Sequence, residues 1–329
     1  MLERYKCGVT SDSKVIYLFL SELTFKDARI HPMKIVDPHH HLWNLEKNYY
    51  PWLSDNLEQT IFGDYSKLRK SYLVSDFQSD AADLELIKSV HLQAEYDPMN
   101  PSDETRWLQS VADDPASSGM PNGIVGFCNF AMDEAEILLE QHCQYANFRG
   151  IRHLLNTHED PVFNYADQDY LNHAKWVDNF GLLDKFDLTY DLQIYYPQMQ
   201  SAAALADLYP NTIIILNHTG MPHVRSEYGV KAWREGMRTL AAKDNVMTKI
   251  SGLGMFDYRW TVDTIRPFIL DAIEIFGVEK SMFASNFPVD KLFSSYKAIW
   301  DAYDDITSKF SDDERHKLFS SNAEKIYRI

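Results

Sequence analysis

The stretch Met33-Lys34-Ile35-Val36-Asp37-Pro38-His39-His40-His41 decides how the rest of the chain reads. Lys34–Pro38 is a short β-branched run that begins abruptly after a segment without periodicity, and it leads straight into three imidazoles. Successive side chains of a strand point to opposite faces, so His39 and His41 share one side and His40 takes the other. Two imidazoles close together on one face can ligate a transition metal or hold and polarise a carbonyl. An HxH pattern alone equally suits histidines satisfied inside a core, so its meaning depends on the fold that carries it.

Beyond His41 the chain alternates between two patterns. Strand-length apolar runs recur at Val90–Ala94, Gly123–Phe127, Arg149–Leu154 and Leu188–Ile194, then at Thr212–Leu216, Val246–Ile250 and Ser281–Ala284. Amphipathic segments lie between them, among them Ala131–Tyr145, Tyr170–Phe180, Met199–Leu208, Trp233–Ala242 and Val262–Phe276. Short buried runs alternating with helical patterns predict a parallel sheet, and eight such units predict a closed (β/α)8 TIM barrel. A doubly wound nucleotide-binding sheet would carry a Gly-rich turn after its first strand, and none is present. The 329 residues are ordinary for one α/β-barrel domain, placed here at 33–329. Residues 1–32 read as an N-terminal extension outside the pattern, with Met33 standing where a working start would fall. The tail, Asp312–Ile329, reads as a closing helix against the barrel wall.

The formal net charge of −16 opposes phosphate backbones and anionic lipid surfaces, which excludes nucleic acid and membrane as expected partners. It leaves room for a small-molecule substrate, an anionic one included, because arginines inside a pocket can override the surface field. Three cysteines without short spacing argue against a disulfide framework, and no apolar run near the start reaches the ~20 residues of a membrane span. A cytoplasmic protein is expected, with a homo-oligomer left open.

In a barrel the reacting groups stand at the C-terminal ends of the strands. His39 and His41 end the first strand, His218 follows the sixth at Leu216-Asn217-His218-Thr219-Gly220, and Asn286 follows the eighth at Ala284-Ser285-Asn286-Phe287-Pro288. Arg152 and His153 are neighbours on the fourth strand, so one of them must face the pocket. Glu95 ends the second strand. The long connection at 42–89 carries Tyr50 and Trp52 and, as an insertion after the first strand, would sit over the mouth or serve as an aromatic packing loop.

Taken together, IVDPHHHLW, VHLQAEYDP, FRGIRHLLN, IILNHTGMP, KISGLG and MFASNFPVD span residues 35–290 in order. In these segments the chain resembles the amidohydrolase superfamily, in particular the amidohydrolase-related group that includes sugar-lactone and dicarboxylate-lactone hydrolases. The resemblance implies a hydrolase that opens a cyclic ester by attack of water. It assigns catalytic positions to His39, His41 and His218, with Asn286 aligned at the place of the eighth-strand aspartate, and puts Arg149 and Arg152 in the segment where an arginine grips the substrate; by their placement in the chain His153, Glu95, Tyr50 and Trp52 join them as candidate substrate contacts. Arginine suits such a role because its planar, permanently charged fork matches carboxylate and lactone oxygens. His39, His41 and His218 would be the ligands of a single Zn²⁺, with a metal-free site the equal alternative.

The chain departs from the superfamily pattern where an aspartate usually ends the eighth strand. Asn286 stands there, and an amide cannot take a proton. No histidine ends the fifth strand, where Tyr190, Asp191 and Gln193 stand, so a binuclear centre is not expected. Asp290 could supply a carboxylate if its loop turned inward. Decarboxylation or hydration of a carboxylated ring is the alternative chemistry, and a catalytically impaired barrel acting as a binding protein is the alternative class.

Overall fold

The computed structural model describes residues 33–57 and 59–329; the expected extension at 1–32 lies outside the described residues. Eight parallel strands follow one another in sequence order around a nearly closed barrel. They are β1 (Lys34–His40), β2 (Glu85–Leu92), β3 (Gly123–Gly126) and β4 (Phe148–Leu154), then β5 (Thr189–Gln193), β6 (Ile214–Leu216), β7 (Val246–Ile250) and β8 (Ser281–Phe283). Closure comes just beyond β8. His40 bridges Phe287, the Phe287 carbonyl accepts the His41 amide at 2.7 Å, and the His39 carbonyl accepts the Asn286 amide at 2.8 Å. Those three contacts bring both histidine-rich and asparagine-bearing ends to the same rim.

Each strand is followed by a helix on the outside: α1 (Val74–Asp80), α2 (Ser102–Ala112), α3 (Ala135–His142), α4 (Ala174–Phe180), α5 (Met199–Leu208), α6 (Glu227–Ala241), α7 (Val262–Phe276) and α8 (Tyr296–Ile306). Their starts obey capping chemistry. Ser226 accepts the Gly229 amide ahead of α6, and Thr261 accepts the Thr264 amide ahead of α7, each side-chain oxygen satisfying an otherwise orphaned donor. Expected boundaries shift in recognisable ways. β2 begins at Glu85 rather than Val90, because a polar-alternating lead-in pairs with β1 from Lys34 onward. The helix expected over Tyr170–Phe180 breaks into a 3-10 turn, Tyr170–Asn172, and α4, where the His173 side chain caps by accepting the Trp176 amide.

The tail packs against the barrel wall as expected, with Phe319 against Phe283 of β8 at 4.9 Å between ring centroids, and its last turn also reaches the barrel's core. Asp312–His316, a π turn at Lys317–Ser321 and Asn322–Tyr327 form a final helix, α9, whose Ala323 and Tyr327 join Val36, Val90, Val125 and Ile215 in one buried cluster. Lys88 holds the chain end there, with Nζ 2.9 Å from the Ile329 carbonyl oxygen and 2.7 Å from Glu324. The tail therefore plugs the N-terminal end of the barrel, leaving the C-terminal end for chemistry.

The insertion after β1 is tied off at its base. Trp43 and Tyr72 exchange backbone hydrogen bonds of 3.0 and 2.9 Å, so the two ends of the insertion are joined. Within it, Arg69 gathers the carbonyls of Leu53, Ser54 and Asp55, the carbonyl end of the short helix Pro51–Ser54. No helix among the described residues is long and apolar enough to cross a membrane.

Candidate active site

A cavity of about 530 Å³ opens at the C-terminal end of the barrel, a size suited to a small molecule. His41, Arg152, Gln193, His218 and Asn286 line its polar depth. Trp52, Phe62 and Tyr65 of the insertion line its upper wall.

Strand alternation places the first three imidazoles as expected. His40 turns outward, stacked on Phe77 of α1 with ring centroids 4.1 Å apart and bonded through Nε2 to Ser89 Oγ at 3.0 Å. His39 and His41 turn inward, their centroids 5.1 Å apart. Nδ1 of His41 donates to the Leu92 carbonyl at 2.8 Å, which fixes the tautomer and leaves Nε2 for the cavity. His39 is fully buried and lies behind the cavity surface, 4.4 Å from the ring of His218. Its Nε2 stands 3.4 Å from Nη1 of Arg152. A guanidinium can only donate, so Nε2 is the acceptor and the proton sits on Nδ1, which has no hydrogen-bond partner.

His218 occupies a left-handed backbone position (φ 53°), which swings its ring back over the barrel, where Nδ1 meets Ser251 Oγ at 3.1 Å. The space for that ring depends on Gly252: a Cβ there would lie 2.6 Å from His218 Nδ1, and its own φ is +66°. Burial is the main cause holding His39, His41 and His218 well below the usual histidine range. The nearby Arg152 charge pushes each further in the same direction. All three are neutral imidazoles at neutral pH.

Arg152 is the side chain that resolves the Arg152/His153 choice. It points inward from β4, 5% exposed, with Nη2 donating to the Gln93 carbonyl and Nε without a partner. His153 points outward, packed on Phe127 and Tyr170 and accepting from Trp176 Nε1 at 3.4 Å. It lines no part of the cavity. Arg149 also departs from the place its motif suggests. It stands at the opening of β4, at the barrel's other end, bonded to the Ala146, Phe148 and Arg328 carbonyls. Tyr50 is fully buried against Tyr96 rather than exposed to the cavity, whereas Trp52 does line it. The insertion thus both packs and covers: Tyr50 does the first, Trp52 the second. Glu95 reaches the mouth as an exposed side chain, steadied by Gln93 Nε2 at 2.6 Å.

Asn286 lines the cavity from a left-handed position (φ 57°), a conformation asparagine tolerates. Its amide nitrogen donates to Oδ2 of Asp290 at 2.5 Å. The loop does turn inward, so Asp290 is 3% exposed, and burial pushes its carboxyl up to about 7. Asp290 backs Asn286 from behind instead of reaching the cavity itself.

A buried polar cluster below the cavity does not stand out from the sequence as a unit. Asp191 of β5 accepts from Lys249 Nζ at 2.6 Å, from Asn217 Nδ2 at 2.9 Å and from the Tyr327 hydroxyl at 2.9 Å. Asp191 sits in register with Arg152 on the neighbouring strand. The signal that could have found it is a charge inside a largely apolar strand, as in Thr189-Tyr190-Asp191-Leu192-Gln193 and Val246-Met247-Thr248-Lys249-Ile250. Such charges persist in a core only when paired.

The three inward imidazoles do not form a metal-ligand set as they stand. His39 gives its Nε2 to Arg152, no carboxylate joins the group, and a buried guanidinium opposes a dication at the same place by Coulomb repulsion. Among the described residues, no three His, Cys, Asp or Glu side chains are grouped to hold a metal ion.

A barrel with its polar groups gathered at the strand C-termini, over a plugged lower end, defines a (β/α)8 enzyme. The family model for amidohydrolases matches residues 36–329, and the chain belongs to that family of hydrolases. The chain is 50% identical over 296 residues to the uncharacterized protein y4mH of Sinorhizobium fredii, covering 90% of this chain and 98% of that one. It is 25% identical over 306 residues to the L-fucono-1,5-lactonase of Burkholderia ambifaria, with 89% and 95% covered. Among solved structures, a Burkholderia multivorans amidohydrolase with bound zinc superposes with a TM-score of 0.74 at 24% identity, covering 90% of this chain and 99% of that one.

Proposed function

We propose that the chain hydrolyses a lactone, opening a small cyclic ester to its hydroxy acid at the C-terminal mouth of the barrel. The observation that carries this reading is Arg152, a buried guanidinium aimed into a cavity whose other ionisable floor groups are imidazoles kept neutral by burial. The similarity to an L-fucono-1,5-lactonase supports the reaction class.

The chemistry follows from the donor and acceptor inventory. An ester carbonyl gains negative charge as water attacks, and a fixed guanidinium in a water-poor pocket stabilises that charge without having to reorganise. Neutral imidazole accepts the proton that the attacking water loses, and His41, its Nδ1 proton held on the Leu92 carbonyl, offers Nε2 for it. The same nitrogen returns the proton to the ring oxygen as the acyl–oxygen bond breaks, so lactone and water give one hydroxy acid. Asn286, with its amide nitrogen held by Asp290, presents Oδ1 as a fixed acceptor for orienting the water.

A pH-stat screen of aldonolactones, dicarboxylate lactones and simple alkyl lactones, with and without added Zn²⁺, tests the reading. Acid release from at least one lactone is expected. Release of carbon dioxide from an aromatic acid, with no lactone opened, would replace it with decarboxylation.

A further inference from the structure

Gln193 lines the polar depth of the cavity, yet opening an ester there makes no use of it. Resting on the lactonase reading, we propose that Gln193 is a specificity-determining residue: its Oε1 accepts a hydrogen bond from a hydroxyl carried by the lactone, and Asn156 and Met221 hold the amide in that orientation.

Strand alternation puts Gln193 in reach of a substrate. Asp191 and Gln193 lie on the same face of β5, two residues and roughly 7 Å apart along the strand. Asp191, in register with Arg152, is consumed below the cavity by Lys249, Asn217 and Tyr327. Gln193 ends the strand and joins the cavity lining, 6% exposed, with its carbonyl accepting the Leu155 amide at 3.2 Å.

The direction of its amide follows from a thioether. A methionine sulfur can accept a hydrogen bond and cannot donate one. Met221, fully buried three residues beyond His218, presents Sδ 3.2 Å from Asn156 Nδ2, so the nitrogen of the Asn156 amide faces Met221 and Oδ1 faces Gln193. Asn156 is fully buried and held through its carbonyl, which accepts the Tyr165 and Ala166 amides at 3.0 Å each. Its Oδ1 only accepts, and Gln193 therefore turns Nε2 toward it, at 3.2 Å. That leaves Gln193 Oε1 without a partner among the described residues, and it is not among the side-chain atoms sealed from solvent. Asn286 is set in the same manner, its Nδ2 committed to Asp290 and to Met255 Sδ at 3.6 Å.

A fixed amide oxygen in a confined site calls for a donor. A ring C–H or an ether oxygen placed against it leaves it unpaired, and a site shaped around such an acceptor rejects the analogue that lacks the donor. The ester oxygens of a lactone only accept, so the donor has to be a hydroxyl elsewhere on the molecule. Arg152 and Gln193 thus divide the recognition: the guanidinium donates to the ester, and the amide oxygen accepts from the hydroxyl.

Discrimination between matched substrates tests this role. kcat/KM is measured by pH-stat for a parent lactone, for its monohydroxylated derivatives at successive ring carbons and for their O-methyl ethers, with wild type, Gln193→Met and Asn156→Leu. In wild type at least one hydroxylated lactone is expected to exceed both its parent and its methyl ether by roughly tenfold or more. Gln193→Met is expected to remove most of that ratio. Asn156→Leu, which frees the amide to turn, is expected to lower it severalfold, with thermal melting confirming that both variants fold. A glutamine that only shapes the wall would leave the ratio where it was, so an unchanged ratio in folded Gln193→Met overturns the proposal. A wild type that prefers no hydroxylated lactone overturns it as well. The lactonase reading is judged separately, by whether any lactone releases acid. If none does, that reading falls, and the role of Gln193 is still decided by ligand-observed NMR titration with hydroxylated and parent cyclic ketones, which keep the carbonyl and cannot be hydrolysed: tighter binding of a hydroxylated ketone that is lost in Gln193→Met sustains it, and equal binding overturns it.

Discussion

Asn286 and Asp290 form a single unit, an amide at the cavity surface whose nitrogen is held at 2.5 Å by a fully covered carboxyl group behind it. Burial raises the Asp290 carboxyl from 3.8 to about 7, so it changes charge within the working range of an ordinary enzyme. The imidazoles do not, because theirs are held well below 6.5. An ionised Asp290 grips the Asn286 amide more strongly than a protonated one, charge-assisted bonds being roughly twice as strong. Activity should therefore rise with pH through an inflection near 7 in the wild-type profile of kcat/KM, and Asp290→Asn should remove that inflection. An inflection that survives in the variant would assign it to another group.

Asn286→Asp would place two carboxyl groups at hydrogen-bond distance in a buried site. They cannot both ionise, so they share one proton and one is driven upward. The variant is expected to lose activity tenfold or more at pH 7 and to melt lower at pH 8 than at pH 6 by a wider margin than wild type. A large gain in activity would instead mark the natural chain as an impaired barrel.

Gly252 is expected to tolerate no side chain. Alanine would bring Cβ to 2.6 Å from His218 Nδ1 and would sit at a φ of +66°, which L-residues disfavour. Displacement of the imidazole and backbone strain of order 1–3 kcal/mol should together lower both Tm and kcat/KM. Circular dichroism melting and the lactonase assay measure the two. An unchanged kcat/KM would show that His218 need not stand where it does.

Glu104 gives a stability prediction with a defined sign. The side chain is 1% exposed beside the Ala94 amide, which donates to Oε1 at 3.0 Å, and burial raises its carboxyl from 4.5 to about 8. A group raised on folding contributes its stability below the unfolded value and loses it as pH rises through the folded one. Between pH 4.5 and 8 the unfolded state is ionised while the native state keeps its proton. Glu104→Gln carries no such titration, so its stability relative to wild type should climb with pH across that window, by at most about 1.4 kcal/mol per unit. Urea denaturation at several pH values measures the difference. A difference independent of pH would place Glu104 in contact with solvent.

The barrel was legible because each strand announces itself locally, as an apolar run bounded by turn residues. The inward face of β1 was legible too, since period-two alternation fixes His39 and His41 together once the strand is placed. The same alternation left Arg152 and His153 undecided, because both flank buried positions and only the outer helix α4, with Trp176, shows which one packs outward. Arg149 stands away from the cavity for a related reason: sharing a motif with Arg152 puts it on the same strand, yet residues three apart on a strand are about 10 Å apart along it. Tyr50 and Trp52 are two residues apart in an irregular loop, where no periodicity assigns a direction. The Asp191, Lys249 and Tyr327 cluster joins residues from two strands and the last helix, and nothing in the spacing of the sequence foretells that the tail enters the barrel.

Arg152→Met tests the central assignment most directly, since methionine fills similar space without the guanidinium. Acid release from the best lactone is followed in parallel for wild type and variant, with folding of both checked by thermal melting. A loss of roughly 10²–10³ in kcat with the fold retained is expected for removal of the principal donor to the developing oxyanion. A folded variant that opens the lactone at the wild-type rate would contradict it.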